Sequence, residues 1–124
     1  MQLRTAAESR DASITYHLVP KPIWDERGDK PEYVPDAFAA DGFIHCTNGL
    51  DPLLAVANMF YRGDERDYLV LELDTTRITA ELRYDDDERV YPHIYGPLNT
   101  DAVTGTLAVI REPDGTFRAF REVR

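Results

Sequence analysis

The amino-acid sequence predicts an α+β fold in which two or three helices pack on a mixed or antiparallel sheet. Two observations lead there. Strand-like and helix-like stretches alternate through the N-terminal half, whereas the C-terminal half is mostly strand-like. At 124 residues with 43% hydrophobic side chains, the chain is long enough for one self-sufficient core, and no repeat or low-complexity tract divides it.

Residues 1–11 are polar and aperiodic, so they predict a frayed leader ahead of a single domain over residues 12–124. From 12 to 19 the chain alternates, with Ile14, Tyr16 and Leu18 on one face and Thr15, His17 and Val19 on the other, which is the period of a strand. Pro20 and Pro22 end it, and residues 22–26 predict a short helix with proline in its first turn. Residues 28–35 are rich in Gly, Pro and Asp and predict a loop. A weak helical turn over 35–40 is punctuated by Asp41-Gly42, and a strand then carries Phe43, Ile44 and His45. The clearest helix follows over 51–61. Asp51 is a good N-cap, Pro52 suits the first helical position, and Leu53, Val56, Ala57 and Phe60 recur at helical spacing before Gly63-Asp64 closes the segment.

The run from Tyr68 to Leu73 is apolar enough for a central strand. After a turn over 75–80, residues 81–84 predict a short strand and Asp85-Asp86-Asp87-Glu88 a solvated acidic loop. Residues 89–98 are strand-like but interrupted by Pro92 and Pro97, which places them at a sheet edge or on an irregular segment lining a site. A turn or short helix over 99–103 leads to a core strand over 106–110, and Asp114-Gly115 predicts a hairpin into residues 117–120.

Charge narrows the partners. A formal charge of −9, from 23 acidic against 14 basic residues, argues against nucleic acid and against anionic membrane surfaces, because both demand clustered Lys and Arg. A pocket for one small molecule is compatible with it. The single cysteine, Cys46, excludes an internal disulfide and favours a reducing, cytoplasmic setting. The N-terminus lacks an apolar signal core, and no apolar run approaches the roughly 18 residues of a membrane span. Oligomeric state is left open.

The chemistry concentrates in three segments. All three histidines, His17, His45 and His93, lie in strand-like stretches beside chain breakers, where sites are commonly built. Neutral imidazole both donates and accepts hydrogen bonds near pH 7, so such residues can orient a ribose or a polarised carbonyl. In a regular strand His45 shares a face with Phe43 and Thr47, whereas Cys46 points away with Ile44. A His45–Cys46 nucleophile pair is thereby disfavoured, and Cys46 is a small core residue. Tyr91, His93 and Tyr95 share a face of their strand, a wall able to stack a flat ring and hydrogen-bond its edge. No two histidines have the spacing of a common zinc motif, and no glycine-rich phosphate loop occurs, so no metal is expected.

Three motifs, Ile14-Thr15-Tyr16-His17-Leu18-Val19, Asp41-Gly42-Phe43-Ile44-His45-Cys46-Thr47 and Tyr91-Pro92-His93-Ile94-Tyr95-Gly96-Pro97-Leu98, together resemble the DUF952 family of small bacterial proteins. The resemblance covers about residues 13–112. That family is placed in the ADP-ribosyltransferase-like superfamily, which implies a split-sheet α+β fold holding NAD in a cleft. By the same resemblance, Tyr16-His17 is similar to the first-strand position that grips a ribose. Residues 42–47 with the helix after them resemble the element beside the nicotinamide, and His93 with Tyr95 stands where those transferases carry a catalytic glutamate. A neutral imidazole or phenol cannot supply the negative charge of that glutamate, which weighs against standard protein ADP-ribosylation. RNA 2′-phosphotransferases of the superfamily work without it, but the acidity of this chain favours a small nucleotide over RNA.

The expectation is therefore an enzyme that handles NAD or ADP-ribose-type nucleotides by ADP-ribosyl transfer or glycosidic cleavage. His45, His93 and Tyr95 are its catalytic candidates. His17, Tyr16, Thr47, Asn48 and Tyr91 are its ligand-binding candidates. Two alternatives stand beside it: a non-catalytic nucleotide-binding module with the same cleft, and a metal-dependent hydrolase using the histidines.

Overall fold

The computed structural model describes residues 13–123, so the leader predicted over 1–11 lies outside the described residues. In order, the elements are β1 (Ile14–Pro20), α1 (Lys21–Asp25), β2 (Glu32–Tyr33), α2 (Phe38–Asp41), β3 (Ile44–His45), α3 (Leu50–Phe60), β4 (Tyr68–Asp74), β5 (Glu81–Tyr84), β6 (Pro92–Tyr95), β7 (Leu98–Asn99), β8 (Val103–Arg111) and β9 (Phe117–Glu122). The α+β expectation holds. Every described strand pairing is antiparallel: a four-stranded sheet in the order β1-β4-β8-β9, a three-stranded sheet β3-β6-β5 and a two-stranded ribbon β2-β7.

The apolar run over 68–73 occupies the middle of the larger sheet because both of its faces are covered. Leu71 and Leu73 join Val19, Ile44 and Ile94 in the main core between the two larger sheets. Val70 on the alternate face packs with Tyr16, Leu53 and Leu107 beneath α3. Tyr68, Ala57 and Phe117 continue that second layer under the end of the helix. The period-two sorting of β1 follows the same division, with Tyr16 under α3 and Val19 in the main core.

Five local expectations are corrected. The loop predicted over 28–35 contains the two residues of β2, which pair with β7. α3 starts one residue early: its N-cap is Gly49 at φ 102°, so Asp51 lies inside the first turn, where its carboxylate still meets the positive helix end, and Pro52 is not the first helical residue. Tyr61, not Gly63, caps its C-terminus. The third strand shrinks to Ile44–His45 because the chain changes partners: His45 pairs with His93 of β6, whereas Thr47 exchanges both backbone hydrogen bonds with Tyr16 of β1. Finally, of the two alternatives for residues 89–98 only the sheet edge fails, because β6 lies in the centre of its three-stranded sheet. Pro92 is tolerated because it opens the strand, where its carbonyl accepts from the Cys46 N–H.

Candidate functional site

The change of partners at residues 45–47 leaves a cleft of about 770 Å³ between α3 and the three-stranded sheet. α3 divides its apolar residues between two tasks. Leu53 and Ala57 face the core, while Val56 and Phe60 line the cleft with Ala55 and Met59. Met59 and Phe60 are 73% and 68% exposed, so the rim of the cleft is apolar and open to water. Tyr91 and Tyr61 add aromatic surface to the walls, and His45 and His93 stand opposite the helix.

Each cleft histidine has its own carboxylate. His45 Nε2–H donates to Asp41 Oδ2 at 3.0 Å, and His93 Nδ1–H donates to Asp85 Oδ2 at 2.8 Å. These acceptors fix the tautomers, leaving the lone pair on Nδ1 of His45 and on Nε2 of His93. The two rings are 5.4 Å apart in an edge-to-face arrangement. Phe43 orients both. It stacks on His93 at 4.0 Å and meets the edge of His45 at 4.7 Å. Tyr95 donates its hydroxyl to the same Asp85 oxygen at 2.6 Å, under the guanidinium of Arg83. The hydrogen bonds from Tyr95 and then His93 hold the Asp85 carboxyl below the usual carboxylate range, so it stays ionised.

The remaining candidates disperse. His17 is buried, donates from Nδ1 to the His45 carbonyl at 2.7 Å and accepts at Nε2 from the Tyr33 hydroxyl at 2.9 Å. Both ring nitrogens are thus engaged within the protein. The predicted ribose anchor instead braces the strand that carries His45, and it has no lone pair to complete a three-histidine metal site. Burial lowers its pKa to about 4, partly offset by the bond to the His45 carbonyl. Tyr16 is fully buried in the layer beneath α3, on the sheet face opposite His17. Thr47 is buried and lines the cleft. Asn48 braces the acidic loop, donating to the Tyr84 hydroxyl at 2.8 Å and to the Arg89 carbonyl at 3.2 Å. Cys46 is buried, and burial pushes its thiol far above the range in which thiolates form near neutral pH. Among the described residues, no three or more His, Cys, Asp and Glu side chains gather as metal ligands.

Sequence reasoning missed Asp41, Asp85 and Asp86, which supply the negative charge. Asp41 precedes His45 by four residues and in the sequence reads as punctuation before the strand. Asp85 and Asp86 read there as solvated loop. Asp86 also shapes that loop, accepting from the Val90 and Tyr91 N–H groups at 2.8 and 3.2 Å and so placing Tyr91 on the cleft wall. A smaller cavity of about 280 Å³ adjoins on the far side of His45, which lines both spaces together with Tyr61.

Comparison with known proteins adds fold and family. A family model described as "Protein of unknown function (DUF952)" matches residues 18–106. The crystal structure of protein CC0527 from Caulobacter crescentus is similar at 21% identity with a TM-score of 0.71, covering 85% of this chain and 93% of that one. A double mutant of the same protein gives the same values. Its solution structure is similar at 22% identity and a TM-score of 0.65, covering 83% and 90%. At such identities the likeness concerns the fold. No curated protein matches the chain.

Proposed function

The chain belongs to the DUF952 family, and we propose that it is an enzyme acting on the N-glycosidic bond of NAD or a related nucleotide, on a scaffold of the ADP-ribosyltransferase-like kind. The observation that carries this reading is the pairing of both cleft histidines with aspartates, beside an apolar, aromatic-walled space large enough for a nucleobase and its ribose.

The glutamate missing from β6 is the main obstacle to such chemistry, and Asp85 answers it. Its carboxylate is bonded to both His93 and Tyr95, the two residues that the superfamily resemblance sets against that glutamate. It can thus supply the negative charge that favours an oxocarbenium-like transition state. His93, held by Asp85 with its Nε2 lone pair free, is the general base. In cleavage, water attacks the ribose C1′ as the carbon–nitrogen bond breaks. The bonding pair leaves with the pyridinium ring, which departs as neutral nicotinamide and needs no acid. The proton of the water passes to His93 and then to solvent. An acceptor hydroxyl in place of water would give transfer by the same route. His45, with its Nδ1 free to accept, positions the leaving carboxamide.

The test is product analysis by mass spectrometry after incubation with NAD. Nicotinamide and ADP-ribose should appear in equal amounts, and His93→Gln should slow their release about 10²-fold or more. Intact NAD after long incubation would sink both cleavage and transfer. Intact NAD that nevertheless raises the melting temperature would instead establish a binding module without turnover.

A further inference from the structure

The charges around the two cavities restrict which part of a nucleotide can be held. Among the described residues, none that lines the larger cleft is Lys or Arg, whereas Asp85 and Asp86 both do. Phe60, Tyr61 and Tyr91 provide π faces in the same space, and Met59 a polarisable thioether. Nearby cations are engaged elsewhere. Arg83 lies 4.0 Å over the Tyr95 ring and 3.6 Å from Glu81, and Arg89 lies 4.2 Å over the ring of Tyr84.

The smaller cavity repeats the pattern with hydrogen-bond acceptors. Asp36, Asp41 and Asp64 line it, and its one basic residue besides the histidines, Arg66, is bonded to Asp64 at 2.6 Å and stands 3.9 Å from Asp36. Burial raises the Tyr61 pKa, with a further push from Asp41, so this shared wall stays a neutral phenol. Among the described residues that line either space, a phosphate would face carboxylates with no uncommitted cation, at a high cost in a partly desolvated site. Ribose hydroxyls, which donate, suit the carboxylates of the smaller space. A cationic ring suits the aromatic and acidic walls of the larger one.

Resting on the reading of an N-glycosidic enzyme, we propose that the two cavities together select an N-riboside of a cationic heteroaromatic base, with the glycosidic bond beside His45 and any phosphate-bearing portion held outside in solvent. Nucleotides then bind through their base and ribose alone, and each added phosphate weakens binding.

Isothermal titration with nicotinamide riboside, its neutral dihydro form, nicotinamide mononucleotide and NAD tests this directly. The cationic riboside should bind about tenfold or more tightly than either the dihydro form or the mononucleotide. Asp85→Asn should narrow the preference for the cationic over the dihydro form, and an unchanged far-ultraviolet circular dichroism spectrum shows that the variant is folded. Equal affinity for the two ring forms overturns the proposal. Binding of the mononucleotide or NAD as tight as that of the riboside overturns it too, but leaves the N-glycosidic activity standing. Failure of all four to bind overturns both.

Discussion

Inside the core, His17 gives up its charge in order to hold the site. Its ring lies between the His45 carbonyl and the Tyr33 hydroxyl, and burial lowers its pKa from 6.5 to about 4. Between those values the unfolded chain binds a proton that the native protein refuses. The contribution is therefore complete above about pH 6.5, begins to fade as the pH falls below that value, and is fully lost near pH 4. The shift corresponds to about 3 kcal/mol. Urea denaturation across pH 7 to 5 should show wild-type stability falling while His17→Gln stays flatter. Parallel slopes in the two proteins would reject this assignment. At the scale of single residues the sequence spoke unevenly. It singled out His45 and His93, but it offered no means of separating them from His17, because an exposed and a buried imidazole look alike in one dimension. Asp41 and Asp85 were hidden for the opposite reason. In an acidic chain, an aspartate beside glycine or within a run of four acids looks like solvated surface until the fold brings a histidine to it.

Two glycines show how elements are joined. Gly42 ends α2 at φ +81°, and a methyl group there would meet nothing within 4 Å. Gly115 turns the β8–β9 hairpin at φ +95°, and its methyl group would collide with the backbone carbonyl of Arg62. Gly42→Ala should therefore cost about 1 kcal/mol, for the left-handed backbone alone. Gly115→Ala should cost on the order of 3 kcal/mol, because the loop after α3 must move as well. Chemical denaturation of the two variants measures the difference, and equal losses would contradict the close approach. Among the elements, the long ones were legible. β1, α3, β4 and β8 announce themselves by period and apolar content. The two-residue strands β2, β3 and β7 were not legible as such, since nothing in so short a segment fixes its partner. The early start of α3 at Gly49 was missed because Asp51-Pro52 matches an N-cap signature equally well.

For the whole molecule, the main core is decisive. Val19 and Leu71 from one sheet, Ile44 and Ile94 from the other, and Trp24 from α1 belong to a single buried cluster. The sheets should therefore unfold together. Fluorescence of Trp24, the only tryptophan, and the far-ultraviolet circular dichroism of the strands should trace one coincident transition. Separate midpoints would mean that the sheet bearing the site melts on its own. The antiparallel α+β class was readable from the order of segments, whereas the division into separate sheets was not, because it depends on where the chain changes partners near Thr47. That same place holds the protein's one thiol. Cys46 sits between the histidine of the cleft and the strand crossing, nearly inaccessible and held protonated. It is thus a clock for the motion of the cleft floor. An alkylating reagent can reach it fully only when the chain around residue 46 opens, so the rate of modification in native buffer measures how often that happens. A ligand lodged above it should slow the clock in proportion to occupancy, which gives a readout of binding that needs neither a known reaction nor an added label.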